Sequence, residues 1–367
     1  MDESQLKNIV ADFAVKGSVA GIAPLGDGLI NDTYLVRTAE DDEPDYVLQR
    51  INNRVFPDVG MVMRNISIVT AHIRRKLTEA GETDLRHHVL EFIPTVEDRE
   101  KLYVEKDGSF WRLMIFIDHA ITKTEVNVDS SRAAGEAFGH FQAMLSDVPD
   151  ELGETIKDFH NMEFRIEQLK QACVENRAER FDEPEVQELL KQLGLRAEAM
   201  THAERLGREG KLPKRVCHCD TKVNNIMFSE DGNSVLCVID LDTVMPSFIF
   251  SDYGDFMRTA GNTVAEDEAD LERVAFRMDI FRAFTEGYIS SARVFLTPLE
   301  IQLLPFATAL FPYMQSVRFL WDYLNGDVYW KVKYPKHNLV RAQNQFALVK
   351  SIEEKMPEIN AFVESLL

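Results

Sequence analysis

Lys214-Arg-Val-Cys-His-Cys-Asp220-Thr-Lys-Val-Asn-Asn225-Ile-Met-Phe228, continued by Val238-Ile-Asp240-Leu-Asp242-Thr243, is the stretch on which the reading of this chain turns. It reads as a buried strand, a polar loop, a short strand, a turn at Glu230-Asp231-Gly232 and a second apolar strand ending in acids. His218, Asp220, Asn225 and Asp240 then fall on the ends and connections of a small hairpin, a rigid platform from which loop side chains converge. A carboxylate, an amide five residues on and a second carboxylate after the next strand match the needs of phosphoryl transfer. One acid takes a proton from the acceptor; the amide and the other acid hold magnesium under the phosphates.

Outward from this stretch the chain divides in character. Leu6, Ile9, Val10 and Phe13 share one helical face. Residues 18–25 and 31–37 read as strands around Gly26-Asp27-Gly28-Leu29-Ile30, and residues 46–51 as a third strand. Residues 58–80 are helical, with strands expected at 88–95, 101–105 and 110–117. Strands with one inserted helix predict a small, mainly antiparallel α+β lobe. From about residue 128 the pattern is helical, over 133–145, 164–174, 185–206, 249–260, 268–292, 298–325 and 338–366, interrupted only by 214–244. The boundary is placed near 118–128, giving a first domain over 1–118 and a second over 119–367.

Composition narrows the partners. A net charge of −20 and a pI near 4.9 disfavour nucleic acid and anionic membrane surfaces, which select basic faces. No apolar run reaches the length of a membrane span, and the start Met-Asp-Glu-Ser-Gln is not a secretion signal. The four cysteines, at 173, 217, 219 and 237, are too few and too clustered for a disulfide framework, so a reducing cytoplasm is expected. No motif bears on oligomeric state.

Cys217-His218-Cys219 invites a zinc reading, but in an extended segment the two cysteines point away from the histidine, and core packing is the plainer expectation. Asp240 ends an apolar strand and needs a partner, for which a divalent cation serves. Asp242 reads as a second ligand or a loop brace. Asp252 and Asp255 read as acids of a helix start.

Taken together, His-x-Asp, the asparagine five residues later, Ile-Asp after a strand and Gly-Asp at 254–255 form an ordered set. That set resembles the aminoglycoside-phosphotransferase-like kinases, small-molecule relatives of the protein kinases. The resemblance includes residues 26–34, 46–49, 111–119, 220–226 and 239–246. Residues 318–329 and 333–341 are similar to the members that phosphorylate N-acetylhexosamines. It implies a two-lobed, protein-kinase-like α+β fold, with a small antiparallel sheet and a helix forming an N-terminal nucleotide-binding lobe. A larger, mainly helical C-terminal lobe would carry catalysis and sugar binding. It also implies ATP and Mg²⁺ as cofactors and an N-acetylhexosamine as the small-molecule substrate, phosphorylated at its anomeric hydroxyl.

Position by position, the resemblance makes Asp220 the catalytic base and makes Asn225 and Asp240 the magnesium ligands. Gly26, Asp27, Gly28, Asn31 and Thr33, with Gln49, would lie at the ATP phosphates. Phe116, Ile117 and Asp118 would form the adenine hinge, and Thr243, Arg318 and Tyr329, with Asp220, the sugar pocket. One departure stands out. Related kinases carry a lysine on the third strand, paired with a helix glutamate. Here that strand offers Gln49 beside Arg50, and Met61, Arg64 and Asn65 in the next helix supply no glutamate. The same fold also serves choline, homoserine or aminoglycoside acceptors, and the missing lysine leaves room for a non-catalytic nucleotide-binding protein.

Overall fold

The computed structural model describes residues 1–26, 30–124 and 126–367. Asp27 and Gly28, expected at the phosphates, lie outside the described residues. The chain forms two units: Met1–Thr122 with Asp147–Lys157 and Ile226–Met245, and Lys123–Ser146 with Asp158–Asn225 and Pro246–Leu367.

The first unit is built on a five-stranded antiparallel sheet of order β1-β2-β3-β5-β4. Its strands are β1 (Val19–Pro24), β2 (Asp32–Thr38), β3 (Tyr46–Ile51), β4 (Val104–Lys106) and β5 (Ser109–Ile115). Alternation decides its two faces. Val36, Tyr46, Leu48, Trp111 and Leu113 pack with Leu6, Ile9, Val10 and Phe13 of helix α1 (Glu3–Val10). The opposite parity puts Thr33, Gln49 and Arg112 in one cross-strand row, Thr33 opposite Gln49 and Gln49 opposite Arg112. Helix α2 (Val59–Glu79) starts at Asp58, whose carboxylate accepts the Met61 N–H at 2.9 Å. It buries Val62, Met63, Asn65, Ile66 and Val69.

The strand expected over 88–95 does not form as such. Leu85–His88 is a short helix, and the segment after it pairs through isolated bridges, Phe92–Met114 and Phe13–Thr95, with Ile93 N–H bonding Leu113 O at 2.8 Å and Ile115 N–H bonding Glu91 O at 2.9 Å. Pro94, between the two bridges, has no N–H to donate. A three-stranded ribbon completes the unit, with Ile226–Ser229 between Ala120–Thr122 and Val235–Val238. The strand Arg215–Cys217 belongs to the second unit, so the stretch 214–245 is shared between the units.

The second unit is almost wholly helical. Gly135 and Gly139 of the helix Val128–Met144 face Phe284 and Tyr288 of the helix Met278–Ala292. A Cβ at Gly135 would lie 2.2 Å from Phe284 O, and one at Gly287 would lie 2.2 Å from Arg132 O. Only glycine permits that approach, so the two backbones touch. The segment expected as one helix over 298–325 is two, Pro298–Gln302 and Leu304–Leu324, because Pro305 has no N–H to donate to the preceding turn and instead sits in the first turn of the second helix. Likewise 185–206 is broken into Pro184–Gly194, Ala197–Met200 and a helix starting at His202. The helix expected from 268 begins at Met278. Among the described residues no helix is long and apolar enough to cross a membrane.

Candidate active site

In the second unit, Asp220 follows Cys219, which holds a left-handed φ of 64°. Such a conformation is disfavoured for a residue with a Cβ and persists only when neighbours enforce it. Here the enforcer is Asp252. Its carboxylate accepts the Cys219 N–H at 2.7 Å and the His218 N–H at 2.9 Å, and its carbonyl accepts the Thr221 hydroxyl at 2.6 Å. Gln142 donates to the same carboxylate at 2.8 Å and accepts the Tyr288 hydroxyl. The glycine-mediated contact of the two helices thus carries a polar relay to the Asp220 loop. Burial raises the Asp252 carboxyl to about 6, against the opposing pull of His218 and the backbone donors.

The Asp220 side chain faces Lys222, whose ammonium lies 2.7 Å from Oδ1 and 2.9 Å from Oδ2. Burial raises its pKa, but the charge and hydrogen bond of Lys222, with His218 and Arg258, outweigh it and hold the carboxyl below its ordinary value. Asn225 donates Nδ2 to the Asp220 carbonyl at 2.8 Å and to Oδ2 at 3.3 Å. That orientation makes Oδ1 the Asn225 atom with ligand chemistry. Asp255 binds Arg258 through Oδ1, at 2.7 and 3.0 Å, and burial raises its pKa, with Asp220 adding to the rise.

The Cys-His-Cys run is packing. His218 is buried edge-on to Phe138 and Phe141, with ring centroids 5.7 and 5.9 Å away. Burial pushes the thiols of Cys217 and Cys219 well above their usual range and that of Cys237 up to about 12, away from the thiolate a metal needs. Asp252, read from sequence as an acid of a helix start, is in the first turn of Phe250–Ala260, with Asp255 one turn on. Asp252 gives its carboxylate to the Asp220 loop, and Asp255 pairs with Arg258 of its own helix.

Farther along the same unit, Arg318 lies over Phe159 and Trp330, its guanidinium carbon 5.1 and 5.2 Å from the ring centroids. It donates to Gln315 at 3.1 Å, and among the described residues it makes no salt bridge. Burial lowers its pKa, while Tyr329 opposes the shift through charge and a hydrogen bond. Arg165 is pushed down to about 9 by burial and then by Arg318. His160, stacked on Phe159 at 4.2 Å, is lowered well below its usual value by burial and the same arginines, which keeps it neutral. Asp322 sets the turn that presents Tyr329 and Trp330. Its buried carboxylate accepts the N–H groups of Val328, Tyr329 and Trp330 at 2.9, 2.8 and 3.0 Å. Asn338 adds a fourth bond at 2.9 Å. Tyr329 is half exposed beside it.

In the first unit the Thr33–Gln49–Arg112 row is joined by hydrogen bonds. Gln49 Nε2 donates to Thr33 at 3.1 Å, and Gln49 Oε1 accepts Arg112 Nε at 3.0 Å and Nη2 at 2.8 Å. Arg112 Nη1 forms a buried ion pair with Asp242. Asn31 donates to the other Asp242 oxygen at 2.7 Å and accepts the Asn52 N–H at 3.0 Å. Asp242 is therefore a brace. Asp240, with φ of 61°, opens the short turn that contains Asp242 and Thr243. Arg50 is on the other side of the strand and pairs with Asp32.

Gly26 has φ of 69°, and Leu25 N–H bonds Thr33 O at 2.9 Å to close the β1–β2 connection. Phe116 N–H bonds Asp45 O at 2.9 Å, and Ile117 is buried. The Asp118 carboxylate accepts His87 at 2.8 Å and Arg86 at 3.3 Å.

The donor chemistry suits magnesium: Asn225 offers an amide oxygen and Asp240 a carboxylate, both hard oxygens, and such sites leave other positions to water and phosphate. Among the described residues no group of three or more His, Cys, Asp or Glu side chains is arranged for a metal, as a protein-only cage would require. Sequence reasoning missed Arg112, Gln142, Asp252, Tyr288 and Asp322. Only Asp252, inside Ser-Asp-Tyr-Gly-Asp and read as an acid of a helix start, carried a visible signal.

A small antiparallel sheet with a helix, joined to a larger helical part that bears an Asp-x4-Asn loop, defines a protein-kinase-like phosphotransferase of small molecules. The chain belongs to the phosphotransferase enzyme family named for the aminoglycoside enzymes, matched over residues 21–288. Solved structures agree on the fold. An aminoglycoside phosphotransferase from Alicyclobacillus acidocaldarius superposes with a TM-score of 0.62 at 13% identity, covering 98% of this chain and 96% of its own. An amicoumacin kinase in complex with AMP-PNP and Ca²⁺ gives 0.60 at 15%, covering 100% and 98%. A choline kinase from Cryptosporidium parvum gives 0.58 at 12%, covering 98% and 99%.

Proposed function

We propose that this phosphotransferase moves the γ-phosphoryl group of ATP to the anomeric hydroxyl of an N-acetylhexosamine. Asp220 is the base for that hydroxyl, Asn225 and Asp240 hold Mg²⁺, and Thr243, Arg318 and Tyr329 bind the sugar. Gly26, Asp27, Gly28, Asn31, Thr33 and Gln49 lie along the phosphates; Phe116, Ile117 and Asp118 meet adenine. Bound Mg²⁺ neutralises charge on the phosphates. The protein's part is alignment and proton removal, and the anomeric hydroxyl, more acidic than an ordinary alcohol, lightens the second task.

The observation that carries the acceptor choice is Arg318. A guanidinium between two aromatic rings, bonded to an amide and a phenol and, among the described residues, in no salt bridge, offers donors and positive charge. Arg165 reinforces the charge. Such a surface suits a neutral, oxygen-rich ring, whose carbonyl and hydroxyl oxygens accept, and opposes an ammonium acceptor. The buried free cysteines suit a reducing, cytoplasmic setting.

The test is a phosphorylation panel with ATP over N-acetylglucosamine, N-acetylgalactosamine, choline, homoserine and an aminoglycoside, with phosphorus NMR locating the phosphate. A hexosamine 1-phosphate is expected. A preference for choline or an aminoglycoside makes the chain a same-fold kinase of that acceptor, and a silent panel favours the non-catalytic reading.

A further inference from the structure

The third strand presents Gln49 where a kinase lysine is expected, and the register supplies the missing cation from another strand. Arg112 of β5 stands directly opposite Gln49. It is 2% exposed, yet its guanidinium lies against the ring of Phe92 and reaches Met63, Gln49 and Asp242. Nε and both terminal nitrogens are hydrogen-bonded within the protein, so this arginine does not serve as a free phosphate clamp. It acts on what it touches.

Two groups receive that action. Gln49 is the first: with Oε1 bonded twice by Arg112, the amide turns Nε2 toward Thr33 on β2. An arginine thus fixes which end of this amide faces the phosphate-loop strand. Asp242 is the second: one oxygen is paired with Arg112 and the other with Asn31, from the connection between β1 and β2. Asp242 belongs to the short turn Leu241–Thr243, entered through the left-handed Asp240 and followed by Val244, whose carbonyl accepts Asn65 of α2 at 2.9 Å. The turn bearing the candidate metal ligand is therefore tied to the sheet, to the phosphate-loop connection and to α2. Arg112 provides the only cationic tie among those described bonds.

We propose that Arg112 is the positioning residue of the nucleotide–metal site. Its buried ion pair with Asp242 sets the Asp240 turn, and its two hydrogen bonds to Gln49 Oε1 set the phosphate-facing amide. It fixes the site through a buried ion pair, as the strand lysine and helix glutamate pair in protein kinases, but without gripping phosphate itself. Buried ion pairs often add little net stability but fix a unique arrangement, and breaking one by removing a single partner strands the other charge. The inference rests on the phosphotransfer reading and not on the choice of acceptor.

The experiment uses the full chain and needs no acceptor. Binding of AMP-PNP is measured by calorimetry with and without Mg²⁺, in wild type, Arg112→Lys and Asp242→Asn, with circular dichroism to confirm folding. The expected result is a loss of about tenfold or more in Mg·AMP-PNP affinity, larger than the loss in metal-free AMP-PNP affinity, so that the metal-dependent increment shrinks. A purely structural pair would shift the melting temperature and leave the metal-dependent increment in place; that outcome in a folded variant overturns the proposal. If the single variants do not fold, the volume-preserving double variant Arg112→Met/Asp242→Leu is measured instead, and a wild-type metal increment there overturns it equally. Wild-type protein with no metal-dependent increment fails the phosphotransfer reading itself, a result separable from either.

Discussion

Asp252 accepts the Cys219 N–H at 2.7 Å, and this bond holds the residue before Asp220 in a left-handed conformation that its side chain disfavours. A helix acid thereby determines where the candidate base points. The first expectation follows from it. Asp252→Ala strands the buried N–H groups of His218 and Cys219, at about 1–3 kcal/mol each. A thermal melt should record that loss, and turnover should fall further than the melt alone explains. A variant with wild-type kcat at a temperature where it is fully folded contradicts this positioning.

Asp220→Asn removes the proton acceptor and leaves the loop bonds of its backbone intact. Turnover should fall by about 10²–10⁴. Mg·ATP affinity, read by calorimetry, should stay near wild type. Near-wild-type turnover would remove Asp220 as the base.

Lys222 favours the ionised form of that candidate base. Burial raises the Asp220 carboxyl, and the Lys222 ammonium, its hydrogen bond and the charges of His218 and Arg258 bring it below its ordinary value of 3.8. The acid limb of kcat/KM in wild type should therefore fall below pH 4. Lys222→Met removes the cation that favours the carboxylate, so the limb should move to higher pH. A pH–rate profile checks the sign, and a limb that stays put or moves lower rejects it.

Asp322→Ala unties the turn bearing Tyr329 and Trp330, leaving three part-buried N–H groups without their acceptor. A hydrogen bond to a charged group contributes about 1.5–3 kcal/mol. In the fraction that folds, acceptor KM should rise while the KM for ATP is unchanged. Equal changes in both would place this turn outside acceptor binding.

Much of the fold was legible in the residues themselves. Alternation over 46–51 and periodicity over 58–80 depend on local pattern, and both became the expected β3 and α2 within a residue or two. Pattern failed where a proline overruled it. Pro305 divided an expected helix, and the strand expected over 88–95, which contains Pro94, pairs through isolated bridges.

By itself the sequence determined the α+β class, the helical character beyond residue 128, and the order and spacing of the candidate site residues Asp220, Asn225 and Asp240. These rest on neighbours along the chain, whose periodicity and spacing are written in the residues. Only the tertiary structure decided which side chains hold those groups in place. Arg112 meets Asp242 across 130 positions, and Gln142 meets Asp252 across 110. Such pairs arise from strand register and helix packing, so no local pattern announces them. A buried charge is satisfied by whatever partner the fold brings to it, and that partner is chosen in space.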